Sequence, residues 1–123
     1  MTQGTLRYIA ETLTSAGINY EFGQWSGEIA YPYFVGEYTE SEPLTEDGLM
    51  QSTFMLNGFS RTTWLALEQA KAVVKSVFSN DVRLLSSGTG VCIFYAGATI
   101  VPEDDPELKR MQINLTIKEW RVN

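Results

Sequence analysis

Tyr31-Pro32-Tyr33-Phe34-Val35-Gly36-Glu37-Tyr38 opens the stretch whose reading decides the fold. Aromatic and β-branched residues dominate it, and such side chains suit a pleated, half-buried surface. Pro32 has no backbone donor, so it belongs at a strand start or on an edge. A polar, acidic segment follows over residues 39–48. Then comes Leu49-Met50-Gln51-Ser52-Thr53-Phe54-Met55-Leu56-Asn57-Gly58-Phe59. Met50, Phe54 and Leu56 share one side, and Gln51, Thr53 and Asn57 share the other. That is the period of two of a half-buried strand. Two strands with so short a connection pair most simply as antiparallel neighbours. The stretch predicts a long-looped hairpin, covered on one face by helices that precede and follow it.

Working outward, residues 2–16 place Leu6, Ile9, Ala10, Leu13 and Ala16 at three- and four-residue steps, the apolar stripe of a helix. Thr2 or Thr5 suits its start, and Gly17 suits the left-handed position past its end. Residues 18–22 alternate and suggest a short strand, broken by Gly23-Gln24-Trp25-Ser26-Gly27. After the hairpin, residues 60–78 form the clearest helical pattern. Ser60 or Thr62 is its expected cap, Trp64, Leu67, Ala70, Val74 and Val77/Phe78 its apolar side, and Glu68–Lys71 a helical ion pair. Ser79-Asn80-Asp81 ends that helix. A short strand is expected at Arg83-Leu84-Leu85, and a turn at residues 86–90. The chain closes with a second hairpin. Residues 91–101 form its first strand with a bulge at Gly97, residues 102–107 an acidic turn, and residues 109–122 its second strand. In that last strand Met111, Ile113, Leu115 and Ile117 face one way, and Gln112, Asn114, Thr116 and Lys118 the other. The order predicts one α+β domain over residues 1–123. Its sheet is mainly antiparallel, packed with two helices and built on two long hairpins.

The 123 residues fall within the range of a single domain large enough to fold without disulfide or metal. The formal net charge is −6, and the nine Lys and Arg are scattered. A backbone-binding nucleic-acid surface needs clustered cations, so this balance argues against one. No stretch approaches the length of a membrane span, and no leader peptide is evident, so a reducing cytoplasm is the expected compartment. The one cysteine, Cys92, lies in the apolar run Val91-Cys92-Ile93-Phe94-Tyr95. It is expected to be a buried, slowly reacting hydrophobe.

Chemistry is sparse. The chain has no histidine, hence no histidine-based triad, proton shuttle or imidazole ligand. Gly88-Thr89-Gly90 lacks the Lys and following helix of a phosphate loop. Asp104, Asp105 and Glu107 fall in a turn without the spacing of a calcium loop and read as solvated. No spacing promotes any pair of carboxylates to acid–base work. The expectation is therefore no catalytic, cofactor-binding or metal-binding residues. Trp25 has two readings: an exposed contact residue, or a loop Trp folded back over the core.

Three places in the chain resemble the tail terminator (minor tail) proteins of long-tailed bacteriophages. They are the Leu6-Arg7-Tyr8-Ile9-Ala10 helix followed by an aromatic strand, the Pro-containing strand from Tyr31 to Tyr38 ahead of an acidic loop, and the C-terminal hairpin with its Asp-rich turn. Related phage neck and tail ring proteins share this plan. The resemblance implies a homo-oligomeric ring, hexameric in the family, that ends tail-tube growth and joins the tail to the head connector. Its partners would be other copies of itself, the tail tube protein and the connector proteins, with DNA passing through the lumen unbound. Its place would be the host cytoplasm during assembly and then the virion tail, or the cytoplasm if prophage-encoded. Under this reading Glu40, Glu42, Glu46 and Asp47 form an interface or lumen loop. Trp25, Tyr31, Tyr33, Asp104 and Asp105 are contact residues.

Two other classes stand beside it. One is a small ligand-binding or enzymatic α+β domain with a pocket near Trp25, Tyr31 and Tyr33. The other is an adaptor or inhibitor that binds a single protein partner.

Overall fold

A computed structural model describes residues 1–41, 49–61, 63–79 and 81–121. Two helices and six strands follow one another as α1 (Gln3–Ser15), β1 (Tyr20–Phe22), β2 (Tyr33–Ser41), β3 (Met50–Arg61), α2 (Leu65–Val77), β4 (Asp81–Leu84), β5 (Thr89–Val101) and β6 (Leu108–Arg121). The strands form one sheet in the order β1-β2-β3-β6-β5-β4. All neighbours are antiparallel except β1 and β2, which run parallel. The fold is thus α+β with a mixed, mainly antiparallel sheet.

Period two decides what each strand buries. On β3, Phe54 and Leu56 are fully buried, and on β6 so are Ile113, Leu115 and Ile117. Phe34 of β2 and Val91 and Ile93 of β5 join them. Ile9 and Leu13 of α1 and Leu67 and Val74 of α2, with Phe78 just past its end, supply the other half of the core. Both helices therefore cover the same face of the sheet. Among the described residues, the opposite face carries no helix.

Glycines let aromatic rings lie flat on this core face. A Cβ on Gly58 would fall 2.3 Å from the Phe34 ring, and one on Gly36 would fall 2.6 Å from Phe54. Each glycine sits on the strand beside its ring, so the ring fills the space that a side chain would need.

Helix ends follow their sequence signals in part. Thr2 caps α1, its hydroxyl accepting from the Thr5 amide at 3.2 Å. Glu119 of β6 reinforces this end. One of its carboxylate oxygens accepts from the Thr2 amide at 3.1 Å and from the Thr2 and Thr5 hydroxyls at 2.9 and 2.7 Å. A buried carboxylate at a helix N-terminus is favoured by the macrodipole. Gly17 takes the left-handed conformation past the end, with φ +85.

For α2 the expected start is displaced. Ser60 lies in β3, and Thr62 falls outside the described residues, as does Asn80 at the other end. Thr63 instead accepts from the Leu65 amide at 3.1 Å. Extended pairing with β6 outcompeted the helical pattern at Ser60 and Arg61, because each finds a partner there, Lys109 and Leu108. The Glu68–Lys71 pair is present at 2.7 Å. β5 shifts register between Tyr95 and Gly97, where Gly97 has φ +150.

The acidic segment also begins later than its composition suggests. Thr39, Glu40 and Ser41 continue β2, opposite Thr53, Ser52 and Gln51. Pairing with β3 extends the strand past the last aromatic residue. Glu42, Glu46 and Asp47 lie outside the described residues.

Two outcomes follow. Gly58→Ala should cost about 1–3 kcal/mol, because the new methyl must displace the packed Phe34 ring; the shift in urea midpoint measures it. The second concerns Tyr20, whose hydroxyl is buried, finds no hydrogen-bond partner among the described residues and is pushed by burial to a pKa of about 12. The unfolded chain ionises Tyr20 near its ordinary value, so it loses that proton first. Stability is thus complete below about pH 10 and falls between there and about pH 12. Tyr20→Phe should flatten that decline and leave neutral-pH stability equal or higher; thermal melts across the alkaline range report both.

Candidate functional site

The helix-free face of the sheet is built in rows that cross the strands. Register places Tyr33 opposite Phe59, and Phe59 opposite Arg110. The next row holds Val35, Asn57 and Gln112, and a further row holds Thr39, Thr53 and Thr116. Toward the other end stand Phe94, Lys118, Cys92 and Trp120, with the Lys118 ammonium 5.8 Å from the centre of the Phe94 ring. Aromatic groups thus mark both ends of this face, and small polar residues fill its middle.

At the first end the planar groups stack edge of strand to edge of strand. The Tyr33 ring lies 5.0 Å from that of Phe59 at an interplanar angle of 19°. Trp25 folds back from the segment after β1 to within 5.0 Å of Tyr33, and Tyr31 approaches Tyr33 at 5.6 Å. The Trp25 indole donates to the Glu28 carbonyl at 3.1 Å. On the far side of Phe59, the Arg110 guanidinium sits 5.5 Å from the ring centre, a cation–π distance.

A polar chain crosses beside this stack. Asn57 donates to Glu37 at 3.2 Å and accepts from Arg110 Nη2 at 2.9 Å. Arg110 Nη1 reaches Glu103 at 3.4 Å. These bonds explain why Asn57 is 6% exposed on a face that no helix covers. They also leave the Arg110 Nε–H buried without a partner among the described residues. The Tyr33 hydroxyl is pushed above its ordinary pKa, first by burial and then by Tyr31 and Glu103. Trp25, Tyr33, Val35, Glu37, Asn57, Phe59 and Arg110 enclose an open depression of about 320 Å³.

The residues singled out from sequence divide between the two ends. Trp25, Tyr31 and Tyr33 come together at the stack, although Tyr31 packs against Tyr33 and does not line the depression. Asp104 and Asp105 belong to the β5–β6 turn at the same end. Asp105 pairs with Arg61 at 3.4 Å and accepts from the Glu107 amide at 2.9 Å. Glu40 stands at the opposite end, seven residues further along β2 from Tyr33, roughly 23 Å away. There its carboxylate pairs with the amino group of Met1. Glu40 and the expected contact residues therefore do not share a site.

Trp25 fits neither of its two readings fully. It folds back, but onto the helix-free face and not over the core. Cys92 is a plain correction: it is half-buried and points to the helix-free face, opposite Lys118 and Val82. The apolar run around it concealed this, because in a strand every second residue of such a run leaves the core. Phe59, Asn57 and Arg110 were missed as site residues. Their signal was the shared outward parity of two strands, which acquires meaning only once the β3–β6 register is known.

Sixteen chains of solved structures match this fold. One of them superposes with a TM-score of 0.71 over 100% of this chain and 99% of its own length, at 14% identity. At that identity the likeness speaks to fold alone. No protein-family model matches the chain, and no curated protein matches it. Among the described residues no helix is long and apolar enough to cross a membrane, and no group of three metal-ligating side chains comes together.

Arg110→Met tests the polar chain. The substitution keeps the aliphatic stem but strips the buried Asn57 carbonyl of its donor. A loss of about 1–3 kcal/mol is expected, because a buried acceptor is left unsatisfied. Chemical denaturation gives the value. The double variant with Asn57→Leu should recover part of it, since both partners are then apolar.

Proposed function

We propose that this chain is a structural protein of a long-tailed bacteriophage tail, which forms a ring at the end of the tail tube, stops tube growth and joins the head connector. The observation that carries this reading is the division of the molecule into one helix-covered face and one sheet face without cover. A ring subunit must offer neighbours broad surfaces that are neither wholly apolar nor wholly charged, and repeated heterologous contacts must close. The helix-free face, with aromatic ends and a threonine- and asparagine-rich middle, suits that demand. The separation of Glu40 from the Trp25–Tyr33 stack supports a second element of the reading. Two regions at opposite ends of a sheet serve two different neighbours, such as a tube ring and a connector.

In this reading the protein catalyses nothing, and its action is interface complementarity. Glu40, Glu42, Glu46 and Asp47 would face DNA or an adjoining ring, and repulsion between carboxylates and phosphates would act within roughly 8–10 Å at physiological salt. A second reading rests on the 320 Å³ depression: a small-ligand site lined by Trp25 and Tyr33, with Asn57, Glu37 and Arg110 as its polar groups.

Electron microscopy of the purified protein, alone and mixed with tail tubes, tests the first reading. Rings that cap tube ends are expected. A strict monomer across a wide range of concentrations by ultracentrifugation, which also fails to bind any tube, would overturn it. Replacing the four acids by Gln or Asn then separates their roles. Normal particles that infect poorly indicate DNA passage, and failed tails indicate docking.

A further inference from the structure

β4 is an open edge. It lies last in the strand order, so among the described residues one side of it has no neighbouring strand. The Leu85 amide donates to the Thr89 carbonyl at 2.8 Å, which turns the odd-numbered backbone groups of this segment toward β5. By the alternation of an antiparallel ladder, the amides and carbonyls of Val82 and Leu84 point outward. These two residues also carry side chains that are 58% and 67% exposed. Unpaired backbone and exposed apolar side chains thus coincide. Natural edges ordinarily avoid that combination with charge, proline or a bulge.

The other side of β4 adds a charge preference. Asp81 and Arg83 face the helices, beside an open cavity of about 550 Å³ that Tyr8, Glu11 and Ser15 of α1 and Val77 of α2 also line. Ser15 and Val77 are the last residues of their helices, so both macrodipoles turn their negative ends to this cavity. Asp81 accepts from the Tyr8 hydroxyl and pairs with Arg83 at 3.0 Å. Arg83 is the cation among the described lining residues, and its charge is matched by Asp81. Exposed Glu11 and the two helix ends leave the cavity negative.

We infer that β4 docks an extended segment of a protein partner, which adds a strand to the sheet and alternates apolar with basic residues. Its apolar side chains would lie along Val82 and Leu84. Its basic side chains would fall on the helix side, toward Glu11 and the helix ends. Backbone pairing supplies affinity in such strand addition, and the alternating side chains supply selectivity. This inference stands on the edge and the cavity, and is independent of the ring.

The test uses the full chain, labelled with ¹⁵N, at a concentration where sedimentation shows a single copy. The probe is a blocked hexapeptide of alternating valine and arginine, and its control replaces arginine with glutamate. Binding of the arginine peptide should shift the amides of Val82 and Leu84 and slow their hydrogen exchange, with the glutamate peptide at least about tenfold weaker. Val82→Pro removes one outward donor without disturbing the β5 ladder, and should lower affinity about tenfold. Should that variant unfold, slowed exchange of the wild-type Val82 amide on peptide addition decides the matter. Glu11→Gln should narrow the gap between the two peptides. Equal affinity for both peptides, no binding of either, full affinity in folded Val82→Pro, or pairing of β4 with a second copy in place of peptide would each overturn the inference.

Discussion

Twelve consecutive residue pairs join β3 to β6, from Met50 opposite Glu119 to Arg61 opposite Leu108. The remainder of the molecule is arranged around this ladder. These two strands are the centre of the sheet, and their inward side chains form the floor on which both helices rest. A slip of β6 by one residue would turn Ile113 and Leu115 outward and bring Asn114 and Lys118 into the core. Burial therefore holds the register more firmly than any single hydrogen bond. β2 and β5 then attach along the two free sides, each by an antiparallel hairpin.

The two faces handle polar groups by different means. On the helix side, Glu119 is 2% exposed and lies near the end of β6, bonded to the first turn of α1. Its charge is matched by threonine hydroxyls, an amide and the helix dipole. The sequence-distant ends of the fold are thereby held together. On the helix-free side, Asn57 is nearly as buried, but its cover comes from side chains of neighbouring strands. Arg110 serves two purposes there, lying over the Phe59 ring while it donates to Asn57. The stack of Trp25, Tyr33, Phe59 and Arg110 thus does for one end of the open face what the helices do for the other face. It shields backbone and amide groups from water over a limited area and leaves the middle of the face accessible.

Edges and faces together define what the protein offers to others. The β1 edge is three residues long, whereas β4 presents exposed apolar side chains. The helix-free face is polar in its middle and aromatic at its ends. Such a surface offers many contacts that are individually modest. Any such contact must satisfy the Glu37–Asn57–Arg110 chain as well as cover rings.

Much of the fold was legible in the sequence, because period is a local property. The alternation of Met111 to Ile117 and the three- and four-residue steps of Leu67, Ala70 and Val74 each fix an element without reference to the rest of the chain. Gly17 and Gly97 announced a helix end and a bulge through conformations that other residues resist. Tertiary structure decided what depends on partners distant in sequence. The parallel pairing of β1 with β2 and the extension of β3 through Ser60 and Arg61 are of this kind. So is the outward turn of Cys92, since an apolar run does not say which of its members faces the core. The site at Trp25, Tyr33, Phe59 and Arg110 draws on the segment after β1 and on three strands, up to 85 positions apart in the numbering. Periodicity places each residue on a face, but only the register between strands places these four side by side.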